Sequence, residues 1–351
     1  MLKILVTGGA GFIGSHTCLM LLEKGYQVLV IDSFINSSER SLEQVKNFCT
    51  RINNFDQNKL QVYKGDLRNF KILETLFKNA QNQGSPIECV IHFAGLKAVK
   101  ESVYNPTKYW DFNVISAINL IQVMEQYNCY SLVFSSSATL YGDTSKELID
   151  ENTNINPRNC YGSTKYVIEM LLNDIYKSQR NKWKIANLRY FNPIGAHYTG
   201  LIGEDPNGTP NNIFPLLLQV AHGEKAYLEI YGNDWPTNDG TGIRDYVHVM
   251  DIAEGHIKTL EYLIKNDPNI INLNLGTGIG TSVLQLIKAF EEMNKVKIPY
   301  IFSERRNGDV ARLVADNQLA KKYLRWSPSR DINEMCRDGW NWKKNNPNGY
   351  K

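Results

Sequence analysis

Short apolar runs alternate with amphipathic stretches along the first half of the chain. Residues 2–6 are apolar and end on Gly8 and Gly9, which predicts a buried strand. Residues 11–24 follow with helical spacing through Ile13, Thr17, Met20 and Leu21, and close on Gly25. The alternation repeats. Strands are predicted at 28–31, 60–63, 88–92, 131–134 and 184–188, and helices at 69–79, 107–127 and 159–180. Residues 37–54 form a polar helical insertion with a loop behind it, extending to about 58. Continuous apolar strands separated by helices predict a parallel sheet covered on both faces. With right-handed crossovers this is a Rossmann-type, doubly wound α/β fold.

The texture changes after about residue 190. Gly, Pro and Asn crowd 192–212, and helices are expected near 214–222, 249–264 and 282–294. This predicts a first domain over 1–190 and a smaller mixed α/β substrate-binding domain over 191–351. The apolar run 270–275 reads as a strand by which the chain crosses back.

At 351 residues the chain is long enough for both. A net charge of +3 is too small to imply nucleic acid or an anionic membrane as partner. No apolar run approaches the ~20 residues of a spanning helix. The six cysteines stand in no CxxC arrangement and read as thiols of a reducing compartment, so the cytoplasm is expected.

The first strand runs into TGGAGFIG, with Gly8, Gly11 and Gly14 spaced for a dinucleotide loop. Gly8 permits the turn, Gly11 lets backbone approach a pyrophosphate, and Gly14 lets the helix pack close. Asp32 closes the second strand, where a carboxylate accepts from ribose hydroxyls. No arginine follows until Arg40, so NAD is favoured over NADP. Asp66 ends the third strand; it is either an adenine contact or a turn aspartate. The fourth runs into Phe93-Ala94-Gly95, with Lys97 beyond and Asn113 on the next helix as further cofactor candidates; His92 reads as a strand residue.

The fifth strand ends in SSSATLYG, which places Ser137 and Thr139 where ligands bind in such sheets. Tyr161 and Lys165 follow at i and i+4, on one side of a helix. A free tyrosine titrates near ~10, too high for a base at neutral pH. A neighbouring ammonium is expected to lower it, and a positive nicotinamide ring to lower it further. Together these groups read as a centre for removing a proton and a hydride from an alcohol.

GxxGxxG, the serine strand-end and YxxxK resemble an extended short-chain dehydrogenase/reductase. VTGGAGFIGSHT, HFAGLKAV, SSSATLYGD, RYFNPIGAH, GEDPNGTPNN and DGTGIRDYVHVMD narrow this to the UDP-glucose 4-epimerase family. The resemblance implies reversible epimerisation of UDP-glucose and UDP-galactose at carbon 4, through a 4-keto sugar with tightly held NAD. It makes Tyr161 the base, with Lys165, Ser137 and Thr139 assisting. It adds Phe12, Ile13, Asn36, Leu67, Ser135, Tyr190 and Phe191 to the cofactor side. On the substrate side it implies Lys97, Ala138, Phe191, Asn192, Asn212, Ile213, Tyr231, Arg244, Tyr246, Arg306, Asp309 and Leu313. Leu313 is smaller than the tyrosine of UDP-glucose-specific bacterial members, which implies room for UDP-N-acetylglucosamine. Relatives pair as homodimers through two helices, here 107–127 and 159–180. Dehydratases of the same fold carry Asp-Glu after the strand-end hydroxyl; here Ala138 and Thr139 follow Ser137. An epimerase for acidic sugars and a non-catalytic NAD sensor are the other rivals.

Overall fold

The computed structural model describes residues 2–53, 56–208, 210, 212–306 and 308–350. Seven strands form one all-parallel sheet: β1 Lys3–Thr7, β2 Gln27–Asp32, β3 Leu60–Lys64, β4 Ile87–His92, β5 Ser131–Ser137, β6 Lys184–Tyr190 and β7 Ile270–Leu275. Their spatial order is β7-β6-β5-β4-β1-β2-β3. The chain winds outward from β1 through β2 to β3, then returns to place β4 on the other side of β1. The crevice at this switch, beyond the carboxyl ends of β1 and β4, is where such sheets bind ligands.

Ile4, Leu5 and Val6 are fully buried because helices cover both faces of the sheet. One face packs with Cys18, Leu19, Ile257 and Leu260, the other with Leu76, Phe77, Leu120 and Leu172. The Val249–Lys265 helix of the second half packs on this same sheet, and β7 pairs with β6 in register from Ile270↔Ile185 to Leu275↔Tyr190. The chain does cross back.

The second half builds small sheets instead. Ile243–Arg244 lies between Thr281–Ser282 and Arg312–Leu313, Tyr246–His248 pairs with Asn192–Ile194, and Leu228–Tyr231 pairs with Tyr300–Ser303. Its core joins Phe214, Leu217, Leu286 and Phe290 to Met335 and Cys336 of the Ile332–Asn345 helix.

Two expectations change. The polar insertion is helical over Glu39–Asn53; its residue 54, like 209 and 211 of the loop-rich stretch, lies outside the described residues. The single helix expected over 107–127 is three pieces: Pro106–Tyr109, a π-helical Trp110–Ile115, and Ser116–Gln126. The Ser116 hydroxyl donates to the carbonyls of Phe112 and Asn113 at 2.5 and 3.2 Å, competing with the backbone ladder. Within the widened turn, Asn113 points inward.

Candidate active site

The glycine loop is built by steric necessity. Gly8 has φ +69°, and a Cβ there would lie 2.7 Å from Ala94 N. A Cβ on Gly14 would lie 2.4 Å from the Gly8 carbonyl oxygen. Gly11 is unlike these: φ is −71°, so any residue could adopt its backbone, and what it supplies is bare approach. No side chain caps the Phe12–Glu23 helix and no acidic residue stands in its first turn. The positive end of that helix, with Gly11, Phe12 and Ile13, lines the cavity.

Asp32 is buried and held by the loop it serves. Its Oδ2 accepts from Ala10 N at 3.0 Å; its Oδ1 accepts from Phe34 N and Ser37 Oγ, both at 2.9 Å. Asp66 also lines the cavity, but Arg68 grips its carboxylate at 2.6 Å and holds it below the usual range.

One continuous cavity runs from this loop to the second half of the chain. Its wall includes Gly8, Gly11, Phe12, Ile13, Gly14, Asp32, Asn36, Asp66, Leu67, Phe93, Ala94, Gly95 and Lys97. It continues through Ser135, Ser137, Thr139, Tyr161, Lys165, Tyr190, Phe191 and Asn192 to Asn212, Ile213, Tyr231, Arg244, Tyr246, Arg306 and Asp309. Three candidates stand behind the wall. Asn113 clamps the loop after β4: its Oδ1 accepts from Leu96 N at 2.7 Å, and its Nδ2 donates to Leu96 O at 3.1 Å and Thr164 Oγ1 at 3.0 Å. Ala138 is buried in a small cluster with Leu140, Tyr141 and Phe191, and Leu313 packs against that same cluster.

At the centre, the Cys160–Ser178 helix starts on Asn159, whose side chain accepts from Gly162 N at 2.9 Å. This aims Tyr161 and Lys165 at the end of β5. Tyr161 hydrogen-bonds Ser137, whose Oγ also accepts from Thr139 Oγ1 at 2.9 Å. The lowering of Tyr161 expected from Lys165 is not found. Burial pushes the phenol above its ordinary value, and the Ser137 bond is what opposes this. The Lys165 ammonium lies 5.9 Å from the Tyr161 ring centre and donates to the Ser135 carbonyl at 2.6 Å. Its own burial brings it down to about 8. His92 takes no part: its Nδ1 bonds Thr7 Oγ1 at 2.7 Å, and burial lowers it to about 3.

The far end is cationic. Arg306 pairs with Asp309 at 2.9 Å and lies 5.4 Å from the Tyr231 ring centre. Arg244 sits on the middle strand of the three-stranded sheet, next to Asp245. That buried carboxylate accepts from the Thr277, Gly278 and Ala315 amides at 2.7, 2.9 and 3.1 Å, which fixes the strand. The Ile213–Ala221 helix likewise begins at the cavity wall without a side-chain cap.

The sequence reading missed Glu204 and Trp235, which also line the cavity. Glu204 pairs with Lys97 at 2.9 Å, and nearby Asn207 donates to the Ile35 and Ser37 carbonyls at 3.3 and 3.4 Å. Glu204 lies in the Gly- and Pro-rich stretch 192–212 and Trp235 in the loop after Leu228–Tyr231, and in neither does a periodicity mark a side chain's direction.

Residues 5–339 match the family described as GDP-mannose 4,6 dehydratase. A UDP-glucose 4-epimerase of Bacillus subtilis is 47% identical over 350 residues, covering 100% of this chain and 99% of that protein. One from Haemophilus influenzae is 48% identical over 351 residues, covering all of both chains. The chain belongs to the UDP-glucose 4-epimerase family. Among solved structures, the Bifidobacterium longum UDP-glucose 4-epimerase in complex with NAD+ and UDP superposes with a TM-score of 0.92 at 43% identity, with 99% of each chain covered. The UDP-Glc/GlcNAc 4-epimerase of Campylobacter jejuni superposes at 0.82 with 30% identity, covering 98% of this chain and all of that one. This epimerase-family chain lacks the carboxylates that dehydration needs after Ser137.

Proposed function

We propose that this chain interconverts UDP-glucose and UDP-galactose by epimerisation at carbon 4, with NAD as resident cofactor. The single observation that carries the proposal is the cavity's two ends. An uncapped helix terminus with Asp32 lies at one, and a second uncapped terminus with Arg244 and Arg306 at the other. Two nucleotide diphosphates fit this arrangement, and Tyr161, Ser137 and Lys165 stand between.

Gly8 and Gly14 let the loop close against Ala94 and against itself, where a Cβ would strike backbone, and the Asp32 carboxylate suits a dinucleotide bearing a free ribose. When bound, NAD supplies a reversible hydride acceptor and a positive ring. The protein supplies the rest. Tyr161 takes the 4-hydroxyl proton, and Ser137, steadied by Thr139, holds the sugar oxygen. Lys165 supplies positive charge beneath them. Arg244, Arg306 and Asp309 hold the nucleotide while the 4-keto sugar turns over, which requires a firm grip on UDP and a loose one on the hexose. Tyr161 would give its proton back to the 4-oxygen as the hydride held by the cofactor returns to carbon 4 on the opposite face, so the exchange carries no net redox change.

The division into residues 1–190 for the cofactor and 191–351 for the nucleotide sugar is part of this proposal, as is a cytoplasmic setting. No helix of the described residues is long and apolar enough to cross a membrane. Activity on UDP-N-acetylhexosamines belongs to it too, resting on Leu313 behind Phe191.

The test is conversion of UDP-galactose to UDP-glucose, followed without added NAD and then with it. Absence of turnover in both would sink the proposal. Tyr161→Phe is expected to retain cofactor and lose about 10²–10⁴-fold in kcat.

A further inference from the structure

A buried polar network lies directly behind the cavity wall. Glu169 stands one helical turn after Lys165, on the same side of the helix. Its Oε1 accepts from Ser136 Oγ at 2.5 Å and from Arg189 Nε at 3.0 Å; its Oε2 accepts from Arg189 Nη2 at 2.6 Å. The two side chains are only 6% and 2% exposed. Arg189 Nη1 donates onward to Tyr141 Oη at 2.9 Å and to the Glu151 carbonyl at 3.1 Å. Tyr141 donates to Asn274 Oδ1 at 2.7 Å. The network thus ties β5, the Cys160–Ser178 helix, β6, the turn after Ser137 and β7.

Each member adjoins a group given a role in the reaction. Ser136 precedes Ser137, Glu169 follows Lys165, Arg189 precedes Tyr190 and Phe191, and Tyr141 closes the turn that carries Thr139. A buried ion pair adds little net stability, since desolvating both ions offsets their attraction. What the bidentate fork does impose is one geometry.

We propose that the Glu169–Arg189 pair is the positioning element of the acid–base centre, fixing the end of β5 against the helix of Tyr161 and Lys165 and holding Lys165 charged. This rests on the reading of Tyr161 and Lys165 given above. Lys165 is faced by Tyr161 and Glu169 from its own helix, by the Ser135 carbonyl and Phe134 ring from β5, and by neutral His92 from β4. Arg189 of β6 lies behind Glu169. Of these, Glu169 is the group whose charge opposes the desolvation of Lys165.

The test compares the pH profiles of kcat for the wild type, Glu169→Gln and the doubly neutral Glu169→Gln/Arg189→Met. Glu169→Gln keeps the Ser136 bond and removes the charge. Its high-pH limb is expected to move down by about half a unit or more, with kcat falling about tenfold and KM staying within about threefold. Should Glu169→Gln fail to fold because Arg189 is left unpaired, the double variant is read in its place. An unchanged limb and kcat in a folded variant overturns the inference. So does a loss that tracks melting temperature and disappears on cooling. Lys165→Met and Tyr161→Phe separate the two levels. If these keep activity, the acid–base reading itself fails; if they lose it while Glu169→Gln keeps its profile, only the positioning role fails.

Discussion

Two residues show how neighbours set a side chain's chemistry. Lys165 is brought to about 8 by burial, so it is charged below that pH and neutral above it. The sign follows: a role that needs the ammonium is present at neutral pH and lost as pH rises through about 8. The kcat of the wild type is expected to decline across that range, and a profile flat to pH ~10 would remove the charge of Lys165 from the mechanism. Lys165→Met is expected to lose at least about a hundredfold in kcat across the whole range. Leu313 makes the opposite point, since it stands behind the cavity wall, packed against the cluster that holds Phe191. Leu313→Tyr enlarges that cluster and is expected to push Phe191 inward. Turnover of UDP-N-acetylgalactosamine should then fall more than turnover of UDP-galactose, and equal rates on both would remove the size argument.

At the scale of elements, the first strand–loop–helix is the most sequence-determined part. β1, the loop and the Phe12–Glu23 helix follow from an apolar run, glycines and helical spacing, with ends within a residue or two of those expected. The close approach of Gly14 to Gly8 leaves no room for a methyl group. Gly14→Ala is expected to cost about 1–3 kcal/mol of stability and to weaken NAD retention. Thermal unfolding and bound nicotinamide after desalting measure both, and an unshifted melting point would mean the loop yields without strain. The broken helix around Asn113 was not legible in advance. Its apolar spacing is helical throughout, and nothing in that spacing marks Ser116 as competing with the ladder or Asn113 as turning inward to Leu96. The small sheets of the second half escaped for a related reason: strands of two to four residues are too short to show a period.

For the whole molecule, the two sequence halves share one sheet. β7 and the Val249–Lys265 helix return to the first half, so the cavity walls cannot move wholly apart without tearing β7 from β6. Outside, Tyr104, Trp110, Ile115 and Met170 are exposed at 74%, 38%, 44% and 48%. They fall on or just before the two stretches where the resemblance implies pairing, and we propose that copies of the chain pair there. Met170→Lys is expected to shift the species seen by sedimentation toward monomer, and an unchanged distribution would place any interface elsewhere.

The sequence by itself determined the parallel sheet, the glycine loop, Asp32 and the Tyr161–Lys165 pair. These are local: each depends on spacing along one strand or one helix, and spacing is what a sequence records. Tertiary structure alone decided the rest. It placed Lys97 against Glu204, put Asn113, Ala138 and Leu313 behind the wall, and joined Glu169 to Arg189 behind the end of β5. It also decided that burial, more than Lys165, governs the Tyr161 phenol. Hydrogen bonds and desolvation depend on what the fold brings within a few ångströms, and those partners come from strands and helices far apart in the chain.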